Sequence, residues 1–245
     1  MPIGPNLTRL DGVLERDEIH VWHTNLDSAE EEVARSLRLL DSAEQSRAAR
    51  FLVPDARKQY VISHALLRVV LGRYLNSEPQ AIRFGSRGNG KPELLDDSRF
   101  CFNLSHTDGT AAVVIANRVR VGIDVEKIRS NLKPLELANR FFSPEECDWL
   151  RSQPASDQLT AFFSCWTAKE SYIKAVGEGL SMGLAGFAII PKIGAARLQL
   201  KISGQPEESK KWLIWQLELK ADTCAAIAAE TQDLAIRIGE WSPSP

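Results

Sequence analysis

Two stretches of this chain carry acidic side chains where they could hold a hard cation or move a proton. In Val121-Gly122-Ile123-Asp124-Val125-Glu126, the two-residue period of a strand puts Ile123 and Val125 on one face and Asp124 with Glu126 on the other. Neighbouring carboxylates repel one another unless solvent, hydrogen bonds or a cation intervenes. The pair is therefore either a solvated surface or a site for a hard metal such as Mg²⁺. The second stretch is Trp166-Thr167-Ala168-Lys169-Glu170-Ser171-Tyr172-Ile173-Lys174. At 3.6 residues per turn it brings Trp166, Glu170 and Lys174 to one helix face. Alone, Glu170 and Lys174 read as an exposed pair four residues apart. The apolar neighbours Phe162, Phe163 and Trp166 favour partial burial instead, and partly buried charges need a purpose.

Anion-handling candidates lie earlier in the chain. Gly85-Ser86-Arg87-Gly88-Asn89-Gly90-Lys91 has the glycine and lysine spacing of a nucleotide-binding P-loop, but Pro92 stands where that loop needs Ser or Thr, and no helical periodicity follows. The P-loop reading is rejected. What remains is a hairpin turn, or a loop that carries Lys91 to a phosphate or purine. Asn103-Leu104-Ser105-His106-Thr107 ends a β-rich run with polar side chains, among which Ser105 and His106 can donate to phosphate. Arg47, Arg50, Arg57 and Lys58 are either solvated helix surface or an anion patch.

The elements that must position these residues alternate in a regular order. Helical spacing over residues 28–40, 42–51 and 55–75 is followed by β-rich runs at 81–84, 99–104, 111–116 and 119–126. The order then repeats: helices over 135–142, 143–150 and 158–176, then β-like runs at 186–190, 198–202, 212–219 and 223–229. Ser143 and Glu146 have the spacing of a capping box, and Gly177 ends the long helix. Helices followed by strands, twice over, predict an α+β protein of two similar subdomains, residues 1–118 and 119–245. A chain of 245 residues is long enough for two cores, and its formal net charge of −2 offers no global attraction to nucleic acid or to an anionic membrane. No apolar run approaches a membrane span, and the N-terminus has no signal-peptide core. The four cysteines, Cys101, Cys147, Cys165 and Cys224, have neither zinc-site nor disulfide-framework spacing. A cytoplasmic protein with no nucleic-acid or membrane partner is expected.

Five segments in order resemble one family: Gly90-Lys91-Pro92, Phe102-Asn103-Leu104-Ser105-His106, Gly122-Ile123-Asp124-Val125-Glu126-Lys127, Arg140-Phe141-Phe142-Ser143, and Trp166 with Lys169, Glu170, Ser171 and Lys174. Together they resemble the surfactin-type 4′-phosphopantetheinyl transferases over roughly residues 40 to 190. The resemblance implies a pseudo-dimer of two α+β subdomains with the active site in the cleft between them, coenzyme A as co-substrate, and Mg²⁺, or Mn²⁺ in its place. It implies Asp124, Glu126 and Glu170 as metal ligands and Lys174 facing the pyrophosphate. The same likeness places Lys91, Ser105 and His106 at the adenine and 3′-phosphate end. Arg47 stands where the family often has a basic residue for that phosphate, a role Arg57 or Lys58 could share.

The implied reaction is attack of a serine of an apo acyl, polyketide or peptidyl carrier protein on the β-phosphate of coenzyme A, releasing 3′,5′-ADP. Glu170 is the candidate base, directly or through a metal-bound water, with Glu146 in reserve. Arg140, Lys169 and the segment Leu180 to Leu184 are candidate carrier contacts, the last equally readable as core. A monomer suffices, since both sides of the cleft lie in one chain. Two rival readings are a metal-dependent phosphohydrolase or nuclease and a non-catalytic binding module. The first leaves the Gly-Lys-Pro and Asn-Leu-Ser-His segments without a role; the second leaves the acidic cluster and Lys174 without one.

Overall fold

The strand β5, Thr110–Asn117, is apolar at nearly every position because both its faces are covered. A computed structural model describes residue 10 and residues 13–87, 90–177, 179–191 and 195–243. On one face of β5, Val113 and Ile115 pack with Val61, Leu66 and Leu71 of α3, Pro54–Leu75. On the other face, Ala112, Val114 and Ala116 meet Ile123, Val125 and Ile227 of a second sheet. The layers therefore run helix, sheet, sheet, helix, with the last layer formed by α6, Gln158–Val176.

The first sheet has the order β11, β1, β5, β4, where β1 is Glu18–Asn25, β4 is Phe100–Thr107 and β11 is Ala235–Glu240. β1 runs antiparallel to β5 and parallel to β11. Neither β1 nor β11 was expected from the sequence. β1 was hidden by Glu18 and His20, which read as surface residues yet are buried. His20 lies between Glu18, 3.0 Å away, and the Tyr74 hydroxyl at 2.6 Å, and Arg237 of β11 pairs with Glu18. β11, from the far end of the chain, joins the sheet that the first half builds.

The second sheet is antiparallel, in the order β6, β10, β9, β8, β7. Its strands are β6, Val121–Lys127; β7, Phe187–Ile190; β8, Arg197–Ile202; β9, Leu213–Leu217; and β10, Thr223–Ala229. Its outer face packs on α6 through Tyr172, Ile173, Ile214 and Ala226. Gly122 makes this approach possible, since a Cβ there would lie 2.2 Å from the Ser171 carbonyl and 2.4 Å from the Ala175 amide. Helices α4, Pro134–Phe141, and α5, Pro144–Arg151, cover the N-terminal half of α6 with Phe142, Leu150, Phe162 and Phe163 in contact. A two-stranded hairpin of β2, Phe84–Arg87, and β3, Lys91–Leu94, precedes β4. Gly88 and Asn89, in the glycine-rich turn considered above, lie outside the described residues.

The two sheets are joined along a seam that uses side chains in place of a main-chain ladder. Asn103, Ser105 and Thr107, at alternate positions of β4, accept hydrogen bonds from the Ile123, Val125 and Lys127 amides of β6 at 2.9, 3.2 and 3.0 Å. Edge amides that would otherwise be orphaned are thus satisfied.

Candidate active site

The seam delivers the acidic strand to the charged face of α6. Ile123 and Val125 of β6 point into the core between the sheets, which leaves Asp124 and Glu126 on the α6 side. Lys174, one turn beyond Glu170, reaches across and donates to Asp124 Oδ1 at 2.6 Å and to Ser105 Oγ at 3.0 Å. Ser105 in turn donates to Asp124 Oδ1 at 3.0 Å. Asp124 and Ser105 are buried, and the Lys174 side chain is partly exposed. The structure thus brings Ser105, Asp124 and Lys174, one from each of three elements, into one contact group.

Glu126 and Glu170 complete the cluster electrostatically. Burial and then the charge of Asp124 raise the pKa of Glu126. Burial and then Asp124 raise that of Glu170, with Glu126 adding and Lys174 opposing. Two buried carboxylate oxygens, Asp124 Oδ2 and Glu170 Oε1, have no hydrogen-bond partner. An orphaned carboxylate oxygen is costly to bury, and two here are acceptors awaiting a donor or a cation. Among the described residues, no three His, Cys, Asp or Glu side chains are arranged as a ready-made metal cage. Lys174 occupies one Asp124 oxygen instead. The donor set, all carboxylate oxygen, nevertheless fits a hard cation such as Mg²⁺.

On the adjoining flank, desolvation and the nearby Lys174 hold the pKa of His106 below the ordinary imidazole value. Arg47, at the end of helix α2, Ser42–Ala48, is exposed, and its guanidinium lies 5.4 Å over the Tyr60 ring. Tyr60 contacts His64 at 3.9 Å between ring centroids. Burial lowers the pKa of His64 to about 4, with the charges of His106 and Arg47 contributing. His64 went unnoticed in the sequence because a histidine inside a helical apolar pattern carries no signature of its own. The buried Arg68 anchors this corner through Asp41, Glu44 and the carbonyls of Pro79 and Ile82.

Three candidates are placed otherwise than the sequence suggested. Lys91 lines the same pocket as Glu170 and Lys174, but its ammonium donates to the carbonyls of Val121, Lys174 and Ala175 at 3.0, 2.7 and 3.2 Å. Burial pushes its pKa down to about 8. Glu146 forms the expected capping box with Ser143 but is fully buried, and it accepts from Lys169 at 2.7 Å and from the Ile189 amide at 2.8 Å. Nothing of it remains for a substrate proton. Lys169, expected at the surface, is the other half of that buried pair and donates also to the Phe187 carbonyl. Of the remaining carrier-contact candidates, Arg140 is exposed and Leu184 is buried, while the side chains of Leu180 and Ser181 lie outside the described residues. Asn103 and Thr107 were the structural residues left unread; their signal was polar side chains at alternate positions of an otherwise apolar strand.

A lysine-backed acidic cluster thus lies at the seam of two α+β halves, with two carboxylate oxygens that have no hydrogen-bond partner. Comparison with known proteins is specific. The profile described as 4′-phosphopantetheinyl transferase superfamily matches residues 120–228, and that described as 4′-phosphopantetheinyl transferase, N-terminal, matches residues 24–119. The chain is 38% identical over 184 residues to the 4′-phosphopantetheinyl transferase HetI of Nostoc sp., covering 74% of this chain and 76% of that protein. It is 30% identical over 181 residues to the 4′-phosphopantetheinyl transferase Sfp of Bacillus subtilis, covering 73% and 79%. Similarity extends to the L-aminoadipate-semialdehyde dehydrogenase-phosphopantetheinyl transferase of Mus musculus, 28% identical over 214 residues, covering 81% and 69%. The chain belongs to the 4′-phosphopantetheinyl transferase family.

Proposed function

We propose that this protein transfers the 4′-phosphopantetheine arm of coenzyme A to a serine of an apo carrier protein, acyl, polyketide or peptidyl, with release of 3′,5′-ADP. The observation that carries the reading is the contact group of Lys174, Asp124 and Ser105 beside two orphaned carboxylate oxygens. Asp124, Glu126 and Glu170 would hold Mg²⁺, or Mn²⁺. When bound, the dication supplies charge to offset the pyrophosphate and to align it.

The residues of the chain have separate tasks. Lys174 presents an ammonium to the pyrophosphate oxygens and holds Asp124 in place until they arrive. Glu170, whose raised pKa makes it a better base near neutrality, takes the proton of the carrier serine. The serine oxygen forms a bond to the β-phosphorus as that phosphorus loses its bond to the bridging oxygen, and the electron pair leaves with 3′,5′-ADP. His106 and Arg47 offer donors for the 3′-phosphate at the first-half flank of the cleft. Glu146 is not a base here, since Lys169 and the Ser143 and Ile189 amides use both its oxygens.

Both halves of the cleft come from one chain, which supports a monomer. Among the described residues none of the four cysteines is in a disulfide, which supports a reducing compartment such as the cytoplasm. Among the described residues no helix is long and apolar enough to cross a membrane.

Intact mass spectrometry of an apo carrier protein incubated with this protein, coenzyme A and Mg²⁺ tests the reading. The expected result is a gain of one phosphopantetheine that EDTA abolishes. No gain on acyl, polyketide and peptidyl carriers alike would overturn it.

A further inference from the structure

We infer that Lys91 is a positioning residue: its ammonium ties the last turn of α6, and with it the backbone of Lys174, to the first residue of β6. An ammonium has three hydrogens, and here all three are directed at main-chain carbonyls, those of Val121, Lys174 and Ala175. Two of these belong to the C-terminal turn of a helix, where carbonyls lack intrahelical partners and a cation is favoured by the helix dipole. The third belongs to β6, on the strand that carries Asp124. The lysine stem runs along the helix end, so that a Cβ on Gly177, the left-handed cap, would lie 3.5 Å from Lys91 Cδ.

The contact extends the side-chain seam by one rung. Asn103, Ser105 and Thr107 from β4 hold the Ile123, Val125 and Lys127 amides; Lys91 from β3 holds Val121 and reaches past it to the helix. The same lysine thereby bonds to the backbone of Lys174, whose own ammonium bridges Ser105 and Asp124. Loss of the Lys91 ammonium frees three carbonyls and lets the end of α6 drift from β6, which moves the Lys174 ammonium relative to Asp124. Lys91 thus acts on transfer through Lys174 and not by touching the anion.

The kinetic test rests on the proposed transfer reaction; a second test does not. In Lys91→Met, kcat for transfer falls about tenfold or more, while KM for coenzyme A stays within about twofold of wild type. Placed in a Lys174→Met background, Lys91→Met costs no further rate, because both changes remove the same effect. A KM that rises about tenfold, losses that multiply, or a wild-type kcat would overturn the inference. The second test labels wild-type lysines with acetic anhydride and reads each site by mass spectrometry, with and without coenzyme A. Lys91 should react far more slowly than the exposed Lys133 in both conditions. Labelling of Lys91 as fast as Lys133 in the free protein, or protection only when coenzyme A is present, would overturn it, whether or not the variant folds and whether or not transfer is observed.

Discussion

The hydroxyl of Ser105 donates to Asp124 Oδ1 at 3.0 Å while its oxygen accepts from the Val125 amide at 3.2 Å and from Lys174 Nζ at 3.0 Å. One side chain thus serves both the seam between the sheets and the charged cluster, with its donor and both lone pairs in use. Ser105→Ala leaves the Val125 amide without its partner and withdraws a donor from Asp124. The expected loss is about 1–3 kcal/mol in urea unfolding, accompanied by a fall in transfer rate of about tenfold or more. A rate and stability equal to wild type would show the hydroxyl to be dispensable.

Glu170→Gln separates function from stability in the opposite sense. The carboxylate is raised in pKa by burial and by the charges of Asp124 and Glu126, and one of its oxygens is orphaned. Neutralising it relieves repulsion, so the melting temperature in the absence of a dication should equal or exceed that of wild type. Transfer should fall by about a hundredfold or more, and the stabilisation that Mg²⁺ confers in a thermal melt should shrink. A variant that is destabilised yet active would remove Glu170 from the site.

The Glu146 and Lys169 pair should behave as structure. Lys169→Met leaves the Glu146 carboxylate in a fully buried setting without its cation and should cost about 3–5 kcal/mol by chemical denaturation. Glu146→Gln combined with Lys169→Met should recover a large part of that loss, and its folded molecules should transfer at close to the wild-type rate. Inactivity in a stable double variant would return Glu146 to the catalytic candidates.

His64 predicts a pH dependence of stability. Its folded pKa of about 4 lies below the ordinary imidazole value of 6.5, so between these values the unfolded chain binds the proton that the folded chain refuses. The contribution is fully present above pH 6.5 and is lost as pH falls toward 4, amounting to roughly 3 kcal/mol over the whole window. His64→Gln should flatten the fall in melting temperature between pH 7 and about 4.5. An unchanged slope would place the acid sensitivity elsewhere.

Much of the site was readable along the chain because strand and helix periods are local. The two-residue period alone puts Asp124 beside Glu126, and the 3.6-residue period alone puts Glu170 one turn from Lys174, so the charged faces of β6 and α6 followed from spacing. Composition and the order of the elements likewise yielded an α+β chain in two halves. The sequence could not say which charges are spent. Glu146 and Lys169 carry the same groups as Glu170 and Lys174, and lie close to them in the chain, yet one pair is sealed in the core and the other opens on a cleft. That difference is made by α5, β7 and the seam, whose contacts span many residues. Lys91 looked like an anion contact until the fold placed three carbonyls around its ammonium. β1 and β11 stayed hidden because the buried Glu18 and His20 find their partners in each other, in Tyr74 and in the exposed Arg237, across more than two hundred residues of chain. Local periodicity determined which face each charge occupies; long-range partnering in the folded chain, which sets the electrostatic cost of burying each charge, decided which of them remain available for chemistry.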